Sequence, residues 1–138
     1  MRGGHPWHVT SFELQLAPTI AAAGQARAAI RAWLDGRDVD GRLLDVALLV
    51  VSELVTNSIR HALTASEDPL RLRARLQGEV LRLELQDGGT EGTVARRAPQ
   101  ASGGRIGGYG LDLVARLATD WGVERDAAGT VVWADLPA

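Results

Sequence analysis

The chain has 138 residues, of which 46% are hydrophobic and 23% charged, so we expect one folded domain with a buried core. The formal net charge of −2 indicates no general attraction to nucleic acid. The absence of lysine and cysteine excludes a lysine-dependent phosphate loop, Schiff-base chemistry, disulfides and thiol catalysis.

The first residues and the longest apolar segment indicate where in the cell the protein is located. Residues 1–11 contain no apolar stretch typical of a signal peptide, and the apolar run 46–51 is too short to cross a bilayer. We therefore expect a soluble, cytoplasmic protein that binds no membrane. We also expect residues 1–138 to form a single domain, with residues 1–8 as a flexible tail.

Two elements are predicted for the first 34 residues. A strand that ends before Pro18 is predicted by apolar residues in alternation with polar ones, namely Phe12, Leu14 and Leu16. A first helix over 19–34, with Thr19 as a possible cap, is predicted by apolar residues at helical spacing, namely Ile20, Ala23, Ala26, Ile30 and Trp33.

The rest of the chain predicts two hairpins and two further helices. A second helix runs from about 42 to 65, and two alternating segments around the turn Gly78–Glu79 predict an antiparallel hairpin. Residues 87–107 are rich in glycine and aperiodic, which is typical of a functional or mobile loop. A third helix over about 109–118 and a closing hairpin of 120–125 and 130–136 follow. This order predicts an α+β two-layer sandwich, in which three helices cover one face of a mainly antiparallel, mixed sheet.

Polar side chains spaced four residues apart form a stripe on the second helix, namely Glu53, Asn57 and His61. An ordinary polar helix face would explain this stripe, because a second polar stripe lies beside it. The preceding turn, however, presents Val46 and Val50 on the same side as Glu53. A carboxylate on such a surface would be costly unless it met a partner, a metal or a wet cavity.

Two glycine-containing segments are candidates for ligand contact. Asp87-Gly88-Gly89 ends a strand, and because the chain does not return directly as a strand, a tight hairpin turn is excluded. Glycines beside a fixed aspartate suit the close approach of a flat ligand. Residues 104–111 contain four glycines before the third helix, where backbone N–H groups can face an anion, although a linker is the plain alternative.

Together and in this order, the motifs resemble the GHKL superfamily of ATPases and kinases. Residues 53–62 match its N box, E-L-x-x-N-x-x-x-H-A, and Asp87-Gly88-Gly89 resembles its first glycine box, D-x-G-x-G. Residues 108–111 resemble the second glycine box, G-x-G-L. The closing segment 129–137, and Ala26-Arg27 in the first helix, are similar to the bacterial anti-sigma-factor serine/threonine-protein kinase family.

The resemblance implies a Bergerat-type ATP-binding fold and gives each motif residue a role with ATP and Mg²⁺. Asn57 would supply an amide oxygen to Mg²⁺. Asp87 would accept a hydrogen bond from the adenine amine, with Thr130 beside it, through water. The remaining nucleotide contacts would come from Gly89 at the base and from the second glycine box at the phosphates, namely Gly108, Gly110 and Leu111.

The resemblance also implies residues for phosphotransfer. Glu53 would be the general base, and Arg105 would stabilise charge on the transferred phosphoryl group. His61 would have a structural role. Position 91, where the family has the second glycine of its first box, is Glu91, and Gly92 follows one place later. A carboxylate near the phosphates would be repulsive, so Glu91 is expected to point outward or to be replaced by Gly92 through a shifted loop.

The function implied is partner switching. With ATP bound, the protein would hold a sigma factor, and it would phosphorylate a serine on a STAS-type anti-sigma-factor antagonist. A homodimer is possible, and no direct contact with nucleic acid is expected. The alternative, which Glu91 favours, is an ATP-binding regulatory module without kinase activity. A sensor histidine kinase or a gyrase-like ATPase is not expected, because each needs further segments that 138 residues would not accommodate.

Overall fold

A computed structural model describes residues 9–62, 68–87, 111–126 and 129–137. Within these ranges the chain forms five strands and three helices. In chain order they are β1 (Val9–Leu16), α1 (Ala22–Asp35), α2 (Gly41–Ala62), β2 (Leu70–Gln77), β3 (Val80–Gln86), α3 (Asp112–Leu117), β4 (Asp120–Asp126) and β5 (Gly129–Pro137). The predicted tail, residues 1–8, lies outside the described residues.

The strands form one open sheet in the order β1-β2-β3-β5-β4, and each of the described pairings is antiparallel. Both predicted hairpins are present. The closing hairpin places β5 between β3 and β4, so β5 pairs with a strand more than forty residues earlier in the chain. The start of β5 therefore lies beside the end of β3, where Gln86 pairs with Val131.

One face of the sheet is buried and carries the helices. Alternate residues of β2 and β3 are buried, as the period-2 pattern predicts, and they join apolar residues of all three helices in one core. The predicted α+β fold with three helices on one sheet face is confirmed. The predicted mixed character is not seen in the part of the sheet that the structure describes, where all pairings are antiparallel.

Helix α2 lies at the centre of the helical layer, in contact with α1, α3, β3 and β5. Its start is set by Asp40, whose carboxylate Oδ1 accepts a hydrogen bond from the backbone N–H of Leu43 at 2.9 Å. This is an N-cap interaction, which satisfies a backbone donor that the helix itself leaves unpaired. No helix in the described part of the chain is long and apolar enough to cross a membrane.

The start of α1 differs from the prediction. The helix begins at Ala22, and its N-cap residue, Ala21, makes no side-chain capping hydrogen bond. Thr19 is therefore not the cap; its Oγ1 accepts from the Ala21 N–H at 3.2 Å, within a turn that precedes the helix. Ile20, the first of the apolar residues at helical spacing, is 96% exposed, because it lies in this turn. The buried residues of α1 are Ala22, Ala26, Ile30 and Leu34.

The other face of the sheet carries charged side chains and one aromatic stack. Arg82 donates two hydrogen bonds to the Asp135 carboxylate, at 2.7 and 2.9 Å, and its guanidinium lies 4.3 Å from the ring centroid of Trp133. The hydrogen bond to Asp135 raises the pKa of Arg82 above its ordinary value. Trp133 in turn lies against Gly122 of β4, its cross-strand neighbour.

Gly122→Ala is expected to destabilise the protein. A Cβ at position 122 would lie 2.9 Å from Cζ2 of Trp133, so the indole would have to shift from its place between Gly122 and Arg82. Overpacking of this kind costs about 1–3 kcal/mol. Gly36→Ala is the matched control, because a Cβ there meets no atom within 4 Å and the backbone φ is −90°. Urea denaturation should give a lower midpoint for Gly122→Ala only; equal midpoints for both variants would contradict the packing.

Candidate functional site

Asp87 and Thr130 form a pair at one edge of the core, where β3 ends and β5 begins. The backbone N–H of Asp87 donates to the Thr130 carbonyl oxygen at 3.0 Å, and the N–H of Thr130 donates to Asp87 Oδ1 at 3.1 Å. These two hydrogen bonds run in opposite directions, so they fix both the backbone and the carboxylate of Asp87. The structure therefore places together two residues to which the family resemblance gave a shared role.

Arg125 adds a third group to this pair. It lies directly opposite Thr130 in the β4–β5 register, and its Nη1 donates a hydrogen bond to Thr130 Oγ1. The Thr130 side chain is almost completely buried, at 9% exposure. Sequence reasoning did not identify Arg125. The register of the closing hairpin could have pointed to it, but only if the turn length had been known.

Asn57 is the most unusual polar residue of the core. It lies on α2, the helix that contacts both β3 and β5, and it is 2% exposed. Its Oδ1 has no hydrogen-bond partner among the residues that the structure describes. An unpaired buried acceptor costs about 1–3 kcal/mol, so such an atom calls for an explanation.

Residues 16–136 match the family whose description is histidine kinase-like ATPase domain. The chain belongs to this family. The predicted membership of the GHKL superfamily is thereby confirmed. Membership of an ATPase-domain family also supports ATP as the ligand of the site.

The fold of this ATPase domain is also found in a solved structure, described as that of the RsbU and RsbW domains of Rv1364c from Mycobacterium tuberculosis. The two chains superpose with a TM-score of 0.71 at 22% sequence identity. The alignment covers 93% of this chain and 32% of the other, so this chain spans about a third of that protein's length. At this identity the likeness shows the fold. No curated protein matches the sequence.

Asn57 of the ATPase domain has a different environment from its polar neighbours on α2. Thr56 and Arg60 are exposed, as expected for an ordinary polar helix face, whereas Asn57 is buried and Glu53 is half-buried. A simple amphipathic helix therefore does not account for the burial of Asn57.

The neighbouring stripe contains one residue with a packing role. The Ser52 hydroxyl donates to the Leu48 carbonyl oxygen at 2.8 Å and accepts a hydrogen bond from Arg27 Nη1 at 2.9 Å. Ser52 thus links α1 to α2. The hydrogen bond also gives Arg27, which fits the subfamily pattern in the sequence, a defined place at the surface of the helical layer.

Several predicted site residues lie outside the described residues. They are Gly89, Glu91, Arg105, Gly108 and Gly110, together with the side chain of His61. Leu111 is described: it precedes α3, its side chain is fully buried in the core, and its carbonyl oxygen accepts a hydrogen bond from the Ala115 N–H. The nucleotide contacts assigned to these residues stay predictions.

Proposed function

We propose that this ATPase domain is an anti-sigma regulatory factor that binds ATP with Mg²⁺ and holds a sigma factor. We further propose that it phosphorylates a serine of a STAS-type antagonist. The observation that carries the proposal is the Oδ1 of Asn57 on the N-box helix, which is buried and has no hydrogen-bond partner among the described residues. Family membership and the resemblance of residues 129–137 to the closing strand of anti-sigma-factor kinases support it further.

Asn57 suits a role as a magnesium ligand. Mg²⁺ binds hard oxygen ligands and commonly takes only one or two from the protein, since nucleotide phosphates and water supply the rest. An amide oxygen that is buried and unpaired in the described structure fits that requirement. When bound, the ion would neutralise charge on the phosphates. Asn57 would hold the ion at a fixed position relative to α2.

Glu53 would be the general base of the transfer. It lies one helical turn before Asn57, so the two side chains project from the same side of α2. The Glu53 carboxylate would accept the proton of the attacking serine hydroxyl as the bond from serine Oγ to the γ-phosphorus forms. The bond from that phosphorus to the bridging oxygen breaks, and ADP departs. Arg105 would stabilise the charge on the transferred group.

The second candidate function is an ATP-binding regulatory module that has lost phosphotransfer. It is favoured by Glu91, which stands where the family has a glycine. Incubation with γ-labelled ATP and candidate antagonist proteins distinguishes the two. Label on an antagonist serine supports the kinase, whereas ATP binding without label transfer to any antagonist supports the module.

We expect at least about a tenfold preference for ATP over GTP. Asp87 accepts from the adenine amine, whereas guanine presents a carbonyl oxygen at that position, and an unpaired buried acceptor costs about 1–3 kcal/mol. Calorimetry with both nucleotides measures the preference. The matched variant is Asp87→Asn, which keeps an oxygen to accept from the Thr130 N–H but adds a donor, so its preference should shrink. Equal affinities in the unaltered protein would remove Asp87 from this role.

A further inference from the structure

Leu49 continues the stripe of Glu53 and Asn57 by one turn toward the start of α2. Residues four apart on a helix lie side by side on one face, about 6 Å apart along the axis. Burial changes steadily along this stripe: Asn57 is 2% exposed, Glu53 is half-buried and Leu49 is 51% exposed. The stripe therefore runs from the core of the domain to its surface.

This gradient indicates the side from which a protein substrate can reach Glu53. In the proposed function Asn57 holds Mg²⁺, so the phosphates lie toward the buried end of the stripe. The attacking serine belongs to another protein, which must approach from solvent. In the part of the chain that the structure describes, the exposed end of the stripe is at Leu49. The antagonist is therefore expected to cross α2 at Leu49 on its way to Glu53.

Leu49 is also unusual for its position. The exposed large apolar side chains among the described residues are Ile20, Leu49 and Val80, and of these Leu49 lies on α2. Its exposed neighbours toward the end of the helix, Thr56 and Arg60, are polar. A single exposed leucine is common on protein surfaces and needs no explanation by itself. A leucine one turn from the proposed general base, however, offers apolar area where the antagonist must dock.

The spacing along the stripe indicates which antagonist residue would meet Leu49. A serine hydroxyl that gives its proton to Glu53 must lie about 3 Å from the carboxylate. In an extended segment, residues two positions apart place their side chains on the same side, about 7 Å from each other. This distance is close to the rise of about 6 Å between Glu53 and Leu49 along α2. A side chain two positions from the serine would therefore lie over Leu49.

We propose that Leu49 is a specificity-determining residue, which packs against an apolar side chain two positions from the phosphorylated serine of the antagonist. The inference rests on the proposed kinase function and names a feature of its substrate. The transfer itself is as proposed: serine Oγ bonds to the γ-phosphorus, Glu53 takes the proton, and the bond to the bridging oxygen breaks as ADP leaves. Leu49 takes no part in these bonds, so it should affect KM for the antagonist and not kcat.

The test uses the antagonist protein that accepts label from γ-labelled ATP. Leu49→Gln replaces the apolar side chain by a polar one of similar length and similar helix propensity. We expect KM for the antagonist to rise about three- to tenfold, because the apolar contact of a half-exposed leucine is lost. The kcat value and the affinity for ATP should stay within about twofold. Leu49→Met keeps an apolar side chain and should behave like the unaltered protein.

A double-mutant cycle identifies the residue that meets Leu49. In the antagonist, the apolar residues two positions before and after the serine are replaced by asparagine, one at a time. The replacement that removes the contact should raise KM with the unaltered protein but have little further effect with Leu49→Gln. A replacement that only disturbs the antagonist fold would raise KM with both. Val80→Thr, at an exposed apolar residue of β3, is the control for loss of surface apolar area and should leave KM unchanged.

The outcomes separate the inference from the function on which it rests. If Leu49→Gln left KM for the antagonist unchanged, or lowered kcat and ATP affinity instead, the inference would be overturned while the kinase function stood. A phosphorylated serine with polar residues at both flanking positions would overturn it as well. If the unaltered protein labelled no antagonist, the proposed kinase function would fail and the inference with it.

Discussion

Glu53→Gln is expected to slow phosphotransfer to the antagonist by about a hundredfold or more, with ATP affinity changed by only a few-fold. A general base acts mainly in the transition state, where it typically contributes about 10²–10⁴-fold. Its removal should therefore lower turnover and leave ground-state binding nearly intact. Glutamine has almost the same shape as glutamate but cannot accept the serine proton.

The substitution Glu53→Gln should change the general base without disturbing the described fold. Glu53 is half-buried and makes no hydrogen bond or ion pair with other residues in the described ranges, so glutamine breaks no contact there. Thr56→Ala, at an exposed position on the same helix, is the matched control and should leave both binding and transfer unchanged. Transfer is measured with γ-labelled ATP, and affinity by calorimetry on the same preparations.

Two results would count against the role of Glu53. If Glu53→Gln abolished ATP binding, the carboxylate would be part of the binding site or of the fold. If the unaltered protein transferred phosphate to no antagonist, the regulatory module without kinase activity would be the better description. A Glu53→Gln variant that binds ATP should still hold the sigma factor, because that contact would use the protein surface and not the transferred proton.

The local features of the fold were predictable from sequence because they depend on short-range patterns. The β2–β3 hairpin has alternating apolar residues on both strands and a two-residue turn, so its pairing follows directly. The start of α1 was misplaced for the same local reason. Thr19 and Ile20 match a helix start in spacing, but the turn after Pro18 delays the helix to Ala22.

The long-range features were not predictable from spacing. Nothing in the local pattern says that β5 lies between β3 and β4, so the contact of Asp87 with Thr130 was foreseen only through the family resemblance. Arg125 was missed altogether, because its partner is set by the register of β4 against β5. The spacing on α2 identified Asn57 as a candidate site residue. Its burial could not be predicted, because it depends on the strands that α2 contacts.

Asn57→Ala should have opposite effects on function and on stability. We expect Mg²⁺-dependent ATP affinity to fall by at least about tenfold, in the range seen when residues that hold a metal site are altered. The nucleotide-free protein, in contrast, should be as stable as before or more stable by up to about 1 kcal/mol. Alanine removes a buried oxygen that has no partner in the described structure, and it is the better helix former.

This combination distinguishes a ligand from a structural amide. An asparagine that supported the fold through its side chain would lose stability and affinity together on replacement by alanine. Asn57→Asp is the control that keeps an oxygen: it should retain a response to Mg²⁺, but it buries a carboxylate and should lower the stability of the nucleotide-free protein. Urea denaturation measures the stability, and calorimetry with Mg²⁺ or with EDTA measures the affinity. If ATP affinity in Asn57→Ala matched the unaltered protein under both conditions, Asn57 would have no part in holding the metal, and its buried oxygen would need another explanation.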